Sequence, residues 1–185
     1  DNKAKIMDLA NGHRGILNIG VTYSFGSILT ESVLAFKKEY PDVTLNICYK
    51  NVMELMELVS DGELDFALSF RSSEKYDNVE SHILFDNKLS IIVREDHPLT
   101  RKEFVRLADL EEYDLILPSI GLQARSTFDS IIADRNLNLK VAMEANEVNT
   151  ILNILRRSNY VTVLSETVIL EHNGLVTIDI DDAEC

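Results

Sequence analysis

The chain has 185 residues, 45% of them hydrophobic, enough to bury one domain core or those of two small lobes. Its 18 Lys and Arg against 31 Asp and Glu give a formal charge of −13, an acidic surface that repels phosphate backbones and argues against nucleic-acid binding by this chain. Two cysteines, Cys48 and Cys185, form no disulfide framework and point to a reducing compartment, and no stretch reaches the roughly 20 apolar residues needed to span a bilayer.

In chain order, the N-terminal "DNKAKIMDLANGHRG" has no apolar signal-peptide core, and its start at Asp1 reads as a piece of a longer protein. Ile16 to Val21 predicts a short strand. It is followed by the small polar loop "TYSFGS" (22–27) and by a helix whose apolar face is Leu29, Val33, Phe36 and Tyr40, with Ser24 or Ser27 as its N-cap. "VTLNICY" alternates as a strand. "NVMELMELVSDG" is helical, with Gly62 at its stop, and "LDFALSF" returns to strand. The order β-α-β-α-β predicts a parallel sheet with right-handed crossovers. After the polar "RSSEKYDN", the runs "VESHILF" and "KLSIIVR" read as strands, and His97-Pro98 breaks the pattern. A second series follows: strand "DLILP", a helix from about 126 to 135, strand "LKVAMEA", a helix from about 147 to 157 and strand "YVTVLS". The remainder, from "ETVIL" to "DDAEC", reads as a short helix and a strand.

Ligands of open parallel α/β sheets bind beyond the C-terminal ends of the strands, where helix N-termini offer free N–H groups. The strand-exit segments here are 22–27, 69–73, 118–126 and 145–149, all small and polar, two from each half. Two facing lobes would bring all four to one cleft.

The ordered set "GILNIGVTYSFGSIL", "FKKEYPDVTLNI", "LMELVSDGELDFALSF", "VREDHPLT", "LADLEEYDLIL", "GLQARSTFD" and "EANEVNTILNILRRS" resembles the effector-binding domain of LysR-type transcriptional regulators over about residues 15–180. The resemblance implies an α/β fold of two Rossmann-like lobes joined by two crossover strands, similar to the type II periplasmic binding proteins. It implies residues 1–14 as the end of a linker helix, lobe I from 15–93 with 166–185, and lobe II from 94–165. The winged helix-turn-helix would lie outside this chain. By the same resemblance Thr22, Ser24 and Phe25 fall in the first ligand loop and Ser69 and Phe70 at the third-strand exit. Ser119, Gln123 and, as a weaker match, Arg125 fall in the first loop of lobe II, and Asn146 after its second strand. Where the family favours Gly, Gly and Pro after the last lobe-II helix, this chain has Ser158, Tyr160 and Ser165. The family domain also continues some tens of residues beyond "GLVTIDI".

The function so implied is that of a non-catalytic sensor in the cytoplasm. It would bind a small anionic or polar metabolite in the interlobe cleft and act as a homodimer, a tetramer in the full-length protein, that meets DNA only through the missing domain. An effector that favours the closed lobes would work by population shift, and moving 1:99 to 99:1 takes about 5.5 kcal/mol of differential affinity. The alternative is a secreted or lipid-anchored solute-binding protein of the same fold; an enzyme on this fold is the further rival.

Each candidate also has a structural reading. Thr22 and Ser24 can cap a helix, Gln123 can be an ordinary loop amide, and Arg125 can pair with Asp129 one turn on. Phe25 and Tyr23 can be core. No cofactor or metal is expected: His13, His82, His97 and His172 are scattered, without ligand spacing. No Gly-x-Ser-x-Gly elbow or phosphate-loop signature occurs. The family's peroxide sensors carry a reactive Cys in the loop equivalent to 119–126; this loop has none, which disfavours redox sensing.

Overall fold

The computed structural model describes residues 15–72, 74–169 and 173–181. The expected linker-helix end at 1–14, His13, His172 and Cys185 lie outside them. The described residues form two compact units that meet in sequence between Ile83 and Leu84.

The first unit is the anticipated β-α-β-α-β series. Strand β1 (Gly15–Val21) leads to helix α1 (Gly26–Glu39), β2 (Val43–Tyr49), α2 (Val52–Ser60) and β3 (Phe66–Leu68). The sheet order is β2-β1-β3, parallel throughout, with Gly20 of the central strand beside Cys48 and Ala67. Alternation along β1 separates two packing faces. Leu17, Ile19 and Val21 meet Phe25 and Leu29, with Val33 and Phe36 of α1 against them. The opposite face carries Leu55 and Met56 of α2, Leu64, Cys48 and Ala67. Gly20 lies under this second helix, because a Cβ there would run into Leu55 Cδ2 and stand 2.6 Å from Leu64 Cδ1. Absence of a side chain is what lets α2 approach the sheet.

Helix α2 begins with a full capping box. Asn51 Oδ1 accepts from Glu54 N at 2.9 Å, while Asn51 N donates to Glu54 Oε2 at 3.2 Å. It ends at Gly62, whose φ of 74° is the left-handed turn a helix C-terminus favours. Helix α1 corrects the expected cap. A 3-10 turn over Tyr23–Phe25 precedes it, its N-cap is Phe25, and no side chain caps it. Both serines fall inside these turns rather than before the first free N–H.

The second unit holds β4 (Leu89–Arg94), β5 (Phe104–Val105), β6 (Asp114–Pro118), helix α3 (Gln123–Ile132), β7 (Lys140–Ala145), α4 (Val148–Leu155), β8 (Thr162–Ser165) and β9 (Leu175–Ile180). Strand β4 lies between β8 and β9, antiparallel to both, and β5 pairs parallel with β9. β6 and β7 are parallel, and Leu115 of β6 bridges to Val161 just before β8. β4 is nearly continuous in apolar residues because both its faces are covered. Ile91 and Val93 join Leu99, Leu107, Leu110 and Phe128; Ile92 joins Ile116 and the α4 residues Val148, Ile151, Leu152 and Leu155.

Two expectations are corrected here. "VESHILF" is not a strand: residues 79–85 have no regular structure, and Ile83 and Leu84 are 80% and 71% exposed. Their alternation has no neighbouring strand among the described residues to pair with. Helix α3 starts at Gln123 rather than near 126 and stops at Ile132, because Ser119–Leu122 already turn the chain: Leu122 N donates to Ser119 O and Ser126 N to Leu122 O.

Candidate functional site

At the C-terminal edge of the first sheet, three strand exits are tied together by main-chain bonds. Thr22 N donates to Leu68 O at 3.0 Å, and Lys50 N to Val21 O at 3.2 Å. The exits of β1, β2 and β3 therefore form one local surface. Thr22 is 5% exposed, and its Oγ1 is buried with no hydrogen-bond partner among the described residues. An unpaired buried hydroxyl costs free energy, so its retention needs a reason. Ser24 is buried beside it; Phe25 is 3% exposed and packs against the ring of Phe70 at a centroid distance of 4.6 Å. Ser69, half-buried, donates its hydroxyl to the Phe70 carbonyl at 2.8 Å.

The β2 exit was not among the sequence candidates. Tyr49 stacks on Tyr23, with centroids 5.8 Å apart and planes at 26°, and Lys50 Nζ reaches Glu54 Oε1 at 3.3 Å. The signal lies in "YKN", the last residue of an alternating strand and the two polar residues before the next helix.

The second unit has a comparable edge at the ends of β6 and β7. Ser119 N donates to Ala145 O at 2.9 Å, which joins the two exits. Ser119 is half-buried; Gln123 and Asn146 are exposed, and Gln123 Nε2 lies 3.4 Å from Thr127 Oγ1. Gly121, at φ 94°, adopts the left-handed turn that brings the loop round to α3.

Arg125 resolves toward structure. Its Nε donates to both oxygens of Asp129, at 2.8 and 3.0 Å, and its Nη1 to Glu144 Oε1 at 2.6 Å and Pro118 O at 3.1 Å. Burial works against its charge, but Glu144 and Asp129 outweigh that and raise its pKa. The side chain thus staples α3, β7 and the end of β6. Glu147, quoted in the sequence only as part of an exit segment, caps α4. Its carboxylate accepts from Asn149 N at 2.8 Å and from Thr150 N at 2.6 Å.

The two edges carry hydroxyls and amides, with the Lys50 ammonium at the first and the Glu147 carboxylate at the second. Among the described residues no cluster of His, Cys, Asp and Glu could hold a metal, and no helix is long and apolar enough to cross a membrane. Cys48 is a half-buried free thiol on β2.

Residues 10–185 match the family model for the LysR substrate binding domain. Among curated proteins, the chain is 27% identical over 179 residues to the transcriptional dual regulator GltC of Bacillus subtilis, covering 96% of this chain and 60% of that protein. It is 24% identical over 187 residues to the HTH-type transcriptional regulator YybE of the same organism, covering 100% and 63%. The chain thus spans about three fifths of the length of these relatives. Among solved structures, the regulatory domain of CcmR from Synechocystis PCC6803 in complex with 2-PG is similar with a TM-score of 0.75 at 20% identity, over 91% of this chain and 82% of that one. The effector binding domain of QuiR in complex with shikimate is similar with a TM-score of 0.72, at the same identity and coverage.

Proposed function

The chain belongs to the LysR substrate-binding domain family and has its α/β, periplasmic-binding-protein type II-like fold, and from that premise we propose that it senses a small polar metabolite for a transcriptional regulator. The strand-exit residues Thr22, Ser24 and Ser69 of the first unit and Ser119, Gln123 and Asn146 of the second are the proposed contacts. Phe25 and Phe70 back the first loop from the core. Binding biases the arrangement of the domain, and a DNA-binding domain elsewhere in the protein reads that bias. With a charge of −13, this chain does not itself supply the DNA contacts.

The observation that carries this reading is the Thr22 hydroxyl, buried and without a partner among the described residues, where β1 delivers the chain to α1. Among the described residues α1 has no side-chain cap and no acidic residue in its first turn, so no carboxylate of that turn competes with a ligand beside that hydroxyl. A polar ligand atom would satisfy the hydroxyl.

The test is a metabolite panel read by thermal unfolding of this chain, followed by calorimetry and amide-shift mapping of each stabilising compound. The expected result is saturable binding with shifts at Thr22–Gly26. Stabilising compounds that all map elsewhere, or a panel with none, would overturn the proposal.

A further inference from the structure

Two groups of the second unit are suited to hold an anion, and carboxylates of the chain itself already engage both. The first is the N-terminus of α4, where oriented N–H groups favour negative charge. Glu147 fills it. Its Oε1 accepts from Asn149 N at 2.8 Å, and its Oε2 accepts from Thr150 N at 2.6 Å and from Thr150 Oγ1 at 2.8 Å. The second is the guanidinium of Arg125, whose side chain is only 13% exposed, bound by Asp129 and Glu144. Along the exits of β6 and β7, one cation stands against three carboxylates. The first unit differs: among the described residues α1 has no side-chain cap and no acidic first-turn residue, and the Thr22 hydroxyl just before it has no partner.

We propose that Glu147 is a specificity-determining residue. It occupies the anion seat of α4, so this edge takes a neutral or ammonium-bearing part of the effector and refuses a carboxylate or phosphate. The inference rests on the effector-sensing reading above and narrows its ligand class. An anion arriving beside Asn146 must either displace a carboxylate held by three hydrogen bonds or remain next to it uncompensated. A donor such as an amine, hydroxyl or amide N–H meets the remaining carboxylate lone pairs instead. Burial pushes the Glu147 carboxyl upward, but the bonds from Asn149 and Thr150 outweigh it and hold it below the usual carboxylate range. The group therefore stays charged throughout the neutral range, and the exclusion does not lapse there.

The experiment compares the wild-type chain with Glu147→Ser, which keeps a neutral cap, and with Glu147→Gln, which keeps an acceptor without the charge. Inorganic sulfate is titrated at constant ionic strength while the Asn149 and Thr150 amides are followed by NMR. The expected result is no saturable shift in wild type and a saturable shift in at least one folded variant. A saturable sulfate shift at these amides in wild type, or none in either variant, overturns the inference.

A second arm sorts the compounds that stabilise the wild-type chain by charge. Those that shift the Asn146–Thr150 amides are expected to be neutral or to carry ammonium there. A dicarboxylate or phosphate ester docked on those amides overturns the inference and leaves effector sensing standing. A panel with no stabilising compound overturns effector sensing, and the sulfate arm still decides the role of Glu147.

Discussion

His97 Nε2 lies 3.2 Å from the main-chain carbonyl oxygen of Asn159, while its Nδ1 accepts from Leu99 N at 3.2 Å. That pairing places the single proton of the neutral ring on Nε2, from which it is donated to Asn159. The ring is 1% exposed and tilted against Tyr113 at a centroid distance of 5.0 Å. The 3-10 turn at Pro98–Arg101 is thereby joined to the segment that enters β8.

Burial lowers the His97 pKa, and Arg94 adds to this; the bond to Asn159 and the charge of Asp96 offset part of it. The folded chain therefore resists a proton that the unfolded chain accepts. Stability from this group is fully present above the ordinary histidine value of about 6.5 and is lost as the pH falls toward the lower folded value. Urea unfolding of the wild type should show this acid loss. His97→Asn keeps an acceptor for Leu99 N and cannot titrate, so its stability should be flatter over the same range. Equal slopes for the two proteins would refute the assignment.

Gly20→Ala should destabilise the first unit by about 1–3 kcal/mol, the usual cost of overpacking. The added methyl meets Leu55 and Leu64, whose side chains are 0% and 6% exposed. A lower urea midpoint with an unchanged slope is the expected signature. An unchanged midpoint would mean that α2 moves away from the sheet without cost.

Thr22→Val removes a buried hydroxyl that has no partner among the described residues. Folding stability should hold or rise, within about 1 kcal/mol. Affinity for any compound that stabilises the wild-type chain through the first loop should fall about tenfold, near 1.4 kcal/mol. Calorimetry and thermal unfolding separate the two effects. A loss of stability with unchanged affinity would place Thr22 in the scaffold alone.

Leu34 is 55% exposed on α1, outside the apolar face that meets the sheet, with Ala35 exposed next to it. We expect the chain to self-associate weakly through this strip, against the repulsion of its acidic charge. Sedimentation from low to high concentration should show a monomer–dimer shift. Leu34→Glu should abolish it without unfolding the chain. A wild type that stays monomeric at the highest concentration would refute the strip as an interface.

The sequence by itself determined the β-α-β-α-β order of the first unit, because side-chain period is a local property. Leu17, Ile19 and Val21 must share a face of a strand, and Leu29, Val33 and Phe36 a face of a helix, whatever they pack on. It also located the exits of β1, β3, β6 and β7, though not that of β2, since short polar segments after apolar strands mark the ends of a parallel sheet. Only the tertiary structure decided which polar groups those loops leave available. "VESHILF" has a strand's pattern and, among the described residues, no strand to pair with; the Arg125–Asp129 pair one turn apart is legible in the sequence, but the further bonds of Arg125 to Glu144 and the Pro118 carbonyl are not. Thr22 looks like a helix cap until its hydroxyl is found buried without a partner among the described residues. Hydrogen-bond partners, strand pairing and burial depend on residues far apart in the chain, and a local pattern carries no information about which of them arrive.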